Sequence, residues 1–392
     1  MKNLDAVIQW LGAQYPQMLA LAEQLVNIDS GSYNKAGVDR VADQLSQFFA
    51  SHGLQMQHED GPQYGRLSWV RMGNRALRSD EKGILLIGHR DTVFPDQEVQ
   101  RRPFSIRGER AYGPGVCDMK MGLVMQAFIT VAVHKFESLN IPLSLLTTGD
   151  EEVSSPWSRP HLEREARQAL AVFNAEPGRA NGGVVIARKG SVFFDLHVQG
   201  RSAHAGVNFF DGSSAITALS HKVLALAELS DEASGVTLNV GLAQGGEATN
   251  TVAPHATAKI DLRYVTDDQR QSLVERVQAI AAEEHLAGTS ATTRIFGEML
   301  PMPERPSNLA LFAIYKDAAA RAGFDAHGVH TGGCSDSGFT TAVGAPTLCA
   351  VGPTGGKAHT SDEFVELPSV MPRTLALLHS IAEVARRGGV TA

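Results

Sequence analysis

Residues 83–93 read GILLIGHRDTV. The first six, Gly83–Gly88, form a brief apolar run with glycine at each end. A run of that length without polar alternation reads as a strand buried on both faces, as in a parallel sheet covered by helices. His89 follows at once, which puts an imidazole at the carboxyl end of a buried strand, where open α/β sheets bind their ligands. Outward from this strand the texture repeats. Strands are predicted at 66–71, 142–148, 169–174 and 346–350, and helices at 1–27, 37–52, 122–136, 161–168, 307–322 and 370–387. Strands alternating with helices give an α/β class with a mostly parallel sheet.

Near residue 190 the pattern changes. Residues 193–199 (FFDLHVQ) alternate, as half-buried strands do, and so do 236–242 and 256–265. With helices at 213–229 and 267–285 and a strand at 292–296, the order is β-α-β-β-α-β, the ferredoxin-like split pattern. The expected organisation is one α/β domain from residues 1–189 and 299–392, with an α+β domain of residues 190–298 inserted into it.

Composition narrows the function classes. The 392 residues carry 35 basic and 42 acidic side chains, a net charge of −7, and 43% are hydrophobic. That balance gives no pull toward nucleic acid or anionic membrane. No stretch of 18 apolar residues and no apolar leader stands out, so a cytoplasmic protein without a membrane span is expected. Cys117, Cys334 and Cys349 match no zinc-knuckle spacing and read as reduced thiols.

Chemistry-bearing residues collect at strand ends. His89 is followed by Asp91, which is placed to accept a ring N–H and raise the basicity of the imidazole. Asp118 lies between a glycine-rich turn and a long apolar helix. Asp150, Glu151 and Glu152 follow one strand and Glu176 another; His359 follows the last. Three adjacent acids at a strand end need a cation or free solvation. Two His and three carboxylates suit two divalent ions sharing one acid, zinc first, with cobalt or manganese also fitting. Singly, each segment has a plainer reading: a polar loop at His89, a helix cap at Asp118, solvated acids at 150–152. His255, His330 and Asp336 are read as loop residues.

Taken together and in order, GHRD (88–91), DMK (118–120), Glu151-Glu152, Glu176-Pro177, GRSAHAG (200–206) and His359 resemble the two-zinc exopeptidases and deacylases. That family includes bacterial glutamate carboxypeptidase, acetylornithine deacetylase, succinyl-diaminopimelate desuccinylase and aminoacylase, and the look is nearest to glutamate carboxypeptidase. The resemblance implies a zinc-peptidase catalytic domain with a lid and dimerisation domain inserted. It implies that Asp118 bridges two metals, that His89 and Glu176 complete one site, and that Glu152 and His359 complete the other. Glu151 is then the general base and Asp91 orients His89. His204 reaches across a homodimer to stabilise the oxyanion, and Asn250, Arg263 and Gly333 contact substrate. The implied activity is hydrolysis of an amide in a small N-acyl amino acid or peptide through a metal-bridging hydroxide. The alternatives are an N-acetyl or N-succinyl amino acid deacylase, a di- or tripeptide aminopeptidase, or a metal-dependent binding protein that has lost catalysis. Arg263, two residues after Asp261, also reads as one half of an exposed cross-strand pair. The chain departs from the pattern at Val116-Cys117, at Met121 in place of glycine, and at Met299-Leu300-Pro301, where no arginine precedes proline. The last counts against glutamate-type carboxylate recognition by that loop.

Overall fold

The Gly83–His89 strand is buried at every residue and lies inside an eight-stranded sheet. The structure, a computed structural model, describes residues 1–72 and 81–390. Across the sheet the strands run Met56–Glu59, Leu67–Arg71, Leu143–Thr148, Gly83–His89, Ala169–Asn174, Thr347–Cys349, Gly183–Arg188 and His327–Thr331. The four in the middle, from Leu143–Thr148 to Thr347–Cys349, are mutually parallel. Antiparallel neighbours flank them, Leu67–Arg71 on one side and Gly183–Arg188 on the other. The parallel register positions the chemistry: His89 pairs with Thr148, and Ile87 pairs with Asn174. Glu151 and Glu176 therefore leave the sheet at the same edge as His89.

The helix Met121–Lys135 is buried from Met121 through Val133. A helix apolar all round belongs in a core, and an 18-residue stretch within residues 116–135 has a mean hydropathy of 1.5 and is 94% buried inside the protein. The expected single helix over 1–27 is two, Leu4–Ala13 and Tyr15–Val26. Pro16 stands at the start of the second, where its missing N–H costs nothing, whereas inside one continuous helix it would break the ladder. The strands Met56–Glu59, Gly183–Arg188 and His327–Thr331 were not expected. Neither was a small antiparallel sheet of Gly355–Gly356, Phe364–Glu366, Arg110–Tyr112 and Ser105–Arg107. His330 lies within the His327–Thr331 strand and His255 opens the strand His255–Tyr264, so neither is a loop residue.

The chain divides into two compact units: Met1–Ala187 with Glu304–Thr331 and Ser335–Ala392, and Arg188–Pro303 with Gly332–Cys334. The second has an antiparallel sheet in the order Thr237–Gly245, His255–Tyr264, Gly190–Gln199, Ser290–Met299, with helices Ala215–Ala227 and Asp267–Ala282. Its core takes alternate residues, Val192, Phe194, Leu196 and Val198, from one strand, as a sheet with one buried face requires. The helix Asp267–Ala282 starts at a capping box of Thr266 and Gln269.

In the first unit Gly122 lets the core helix approach the segment that carries Glu176. A Cβ there would lie 2.1 Å from the carbonyl oxygen of Ala175. Gly122→Ala is expected to destabilise the first unit by about 1–3 kcal/mol through overpacking, read as a lowered urea midpoint with the far-ultraviolet spectrum unchanged.

Candidate metal centre

Five side chains from four strand ends and one turn converge in the first unit. The His89 Nε2 lies 3.1 Å from Asp118 Oδ1 and 3.7 Å from Glu176 Oε1. The His359 Nε2 lies 3.3 Å from Asp118 Oδ2 and 3.4 Å from Glu152 Oε1. Asp118 thus offers one oxygen to each of two donor sets. Ligand atoms about 2.0–2.1 Å from a tetrahedral zinc lie about 3.3–3.4 Å apart, so both sets fit one divalent ion each in donor type and spacing. Single ligand atoms of His89, Asp118 and Glu152 also fall within 4.8 Å of one another. No cysteine takes part; Cys117 and Cys349 are buried free thiols.

Local structure aims each donor. The His89 Nδ1 faces the backbone oxygen of Asp91 at 3.0 Å and the carboxylate Oδ1 at 3.5 Å. Two acceptors on Nδ1 put the proton there and leave the Nε2 lone pair toward Asp118. The carbonyl is the nearer partner, so Asp91 orients the ring mainly through its main chain. The Asp91 carboxylate does a second job: it accepts from the backbone N–H of Glu151 at 3.2 Å and of Glu152 at 3.1 Å, and from the Ser32 hydroxyl at 2.8 Å. One buried acid thereby fixes the turn bearing both glutamates. His359 sits in a tight turn with φ 65°, a left-handed conformation costly for a non-glycine residue and common at functional sites.

Crowded carboxylates disturb one another's titration. Burial pushes Glu151 well above the usual carboxylate range, and Glu176, Glu152 and Asp336 add to the effect against His89. Burial likewise raises Glu152 to about 7. Burial would also raise Asp118, but hydrogen bonds from His359 and His89 outweigh it and hold it well below the usual range. The same contacts to Asp118 and Glu152 raise His359 to about 10.

Two residues that sequence reasoning gave no part also belong to this region. Glu363 is fully buried and accepts from the backbone N–H groups of Gly115 (3.1 Å), Cys117 (2.8 Å) and Asp118 (3.0 Å). It clamps the turn that presents Asp118. Its place four residues after His359 is the only sequence signal. Asp336, expected in a loop, is buried at the start of the helix Ser337–Ala342 and accepts from the hydroxyls of Thr148 and Ser155.

The remaining expected residues lie in the second unit. His204 and Asn250 are neighbours there: the Ala205 N–H donates to the Asn250 carbonyl at 2.9 Å, and His204 bridges to Thr251. Both side chains are exposed. Arg263 is gripped by Asp261 of its own strand, Nε to Oδ1 at 2.7 Å and Nη2 to Oδ2 at 2.8 Å, rather than paired across strands. The Gly333 carbonyl accepts from Arg188 at 3.0 Å.

Residues 85–384 match the profile described as Peptidase family M20/M25/M40. Carboxypeptidase G2 of Pseudomonas sp. (strain RS-16) is 24% identical over 95% of this chain and 90% of its own length. The acetylornithine deacetylase of Edwardsiella ictaluri is 25% identical over 96% of this chain and 100% of its own length. Among solved structures, an M20 family metallo-carboxypeptidase of Sulfolobus solfataricus superposes with a TM-score of 0.76 at 16% identity, covering 94% of this chain and 99% of that one.

Two outcomes are expected. Because His359 holds its proton up to about 10 and a metal needs the neutral ring, zinc binding at pH 7 should release protons and tighten as pH rises. Calorimetry in buffers of differing ionisation enthalpy checks this. Glu363→Gln points an amide N–H at a backbone N–H, so metal affinity should fall about 10–100-fold in a chelator competition, and the melting temperature should drop by a few degrees, about 1–3 kcal/mol, as a buried N–H loses its acceptor.

Proposed function

We propose that this chain, which belongs to peptidase family M20/M25/M40, hydrolyses the amide bond of a small N-acyl amino acid or short peptide at a centre of two divalent ions. His89, Glu176 and Asp118 would hold one ion, and His359, Glu152 and Asp118 the other. The observation that carries the reading is Glu151. It lies half-buried beside these donors, yet among the described residues it pairs with neither imidazole, and its backbone is pinned by Asp91. A set built only to hold ions has no use for a further carboxylate with raised proton affinity, whereas a general base needs one.

When bound, the ions would polarise the scissile carbonyl and acidify water. The chain's own residues do the rest. The Glu151 carboxylate takes the proton from the attacking water and returns it to the leaving amine. In the second unit the Gly206 N–H donates to His204 Nδ1 at 3.1 Å. That bond leaves the proton on Nε2, and an exposed Nε2–H is the donor that a developing oxyanion requires. A homodimer through the second unit, as the resemblance implies, gains support from the His204 loop, where Phe210 is 95% exposed.

An N-acyl amino acid with an uncharged side chain is favoured over a glutamate-type substrate by one observation. Asp261 already neutralises Arg263 through two hydrogen bonds, so that guanidinium offers little charge to a second substrate carboxylate.

Glu151→Gln should keep two metal ions per chain by elemental analysis and lose about 10²–10⁴-fold in kcat. Near-normal turnover would remove Glu151 from the base role.

A further inference from the structure

Beside the metal centre the first unit has a cavity of about 530 Å³. Glu152 and Val153 form one wall, and Ser32, Tyr33, Val93, Phe94, Pro95 and Asp96 line much of the rest. The cavity shares Glu152 with the donor cluster, so it adjoins the place where an amide would be cleaved. Its walls are tied together. The Ser32 N–H donates to the Thr92 carbonyl at 3.1 Å and the Thr92 N–H to Ser30 at 2.9 Å. The Ser32 hydroxyl is committed to Asp91 at 2.8 Å, and the Asn34 amide N–H to Asp96 at 2.6 Å. The Asn34 carbonyl accepts from Gly37.

Those commitments decide what the cavity can hold. No lining residue is Lys, Arg or His, and two are acids. The lining side chains Ser32 and Asn34 already donate elsewhere, so a carboxylate placed here would meet no cation among the lining residues and would be repelled by Asp96. Apart from the Tyr33 hydroxyl, what is left facing the space is largely apolar: Val93 is 43% exposed, Tyr33 is 79% exposed with its ring 6.2 Å from that of Tyr64, and Phe94 is backed by the Arg102 guanidinium at 4.2 Å. Rings and a branched side chain on hydrogen-bonded walls are a ready surface for another apolar group.

We propose that this cavity is a specificity subsite for an uncharged aromatic or branched aliphatic group on one side of the scissile amide. The proposal rests on the amide-hydrolase reading above and names the substrate class within it.

The test uses the full-length, zinc-loaded chain and a matrix of N-acyl amino acids. The acyl group is acetyl or phenylacetyl, and the amino acid is Ala, Leu, Phe, Glu or Lys, so the two sides of the amide are separated. At one side, kcat/KM should favour the aromatic or branched group over the methyl by about tenfold or more. That ratio should collapse in Tyr33→Ala, and Val93→Arg should turn it toward Glu when the selected side is the amino acid. Preference for Glu or Lys in the wild type overturns the proposal, and so does an aromatic preference that both variants leave intact. Should the wild type cleave none of the compounds, the hydrolase reading falls separately. Calorimetric binding of the same compounds then decides the subsite: aromatic selectivity lost in Val93→Arg upholds it, and no selectivity overturns it.

Discussion

Crowding like charges together, partly shielded from water, is the constraint around which the first unit is built. Asp118, Glu151, Glu152 and Glu176 cluster at one edge of the sheet, and ionised they carry four negative charges. Two such charges 4 Å apart repel by about 4 kcal/mol at the effective dielectric of a protein surface, and each also loses hydration. The cluster can persist only with protons, imidazolium rings or metal ions among the acids. His359 and Glu152, raised to about 10 and about 7, represent the proton solution. Two divalent ions carry four positive charges and represent the other. Proton and metal compete for the same lone pairs, which is why the geometry of the donors and their titration are one subject.

Such a cluster must also be held against its own repulsion, and the backbone does this. Glu363 gathers three N–H groups of the Asp118 turn, and Asp91 gathers those of Glu151 and Glu152. Carboxylates at peptide N–H groups are strong, directional anchors. They turn the positions of Asp118, Glu151 and Glu152 into consequences of strand register, because His89 and Thr148 lie opposite one another in the sheet. The acids that would hold no ion themselves thus matter as much to the centre as those that would.

This division explains what could be read in advance. Gly83–Gly88 and Leu143–Thr148 are apolar throughout, so they announce buried strands, and His89, Glu151, Glu152 and Glu176 announce themselves by following such strands at once. Alternation in residues 193–199 likewise exposes the half-buried sheet of the second unit. Gly183–Arg188 escaped because its apolar run, Gly183–Ala187, is short and only Lys189 separates it from the next strand, so no turn of its own marks it off. His327–Thr331 lies at the sheet edge, where burial is partial and apolar patterning weak. Glu363 and Asp336 escaped for a different reason. Their role depends on which distant backbone groups they meet, and nothing local to either residue encodes a partner 245 or 188 positions away.

Buried cations show the same logic from the other side. Arg90 is fully buried and donates to the carbonyls of Val38 and Thr147, and also to that of Arg66. Arg373 donates to Ala350, Arg179 and Gly183, and Lys120 to Ile28. The two arginines tie together carbonyls of separate segments, as multidentate donors do. The arginine charges still offset the acidic cluster at longer range, while burial lowers Lys120 to about 7, and most of the arginine N–H groups are turned to carbonyls. A unit that commits its interior cations to carbonyls has few of them left to grip a substrate's side-chain carboxylate. Discrimination beside Glu152 then falls to shape and to the penalty of desolvating charge, and both favour an uncharged group.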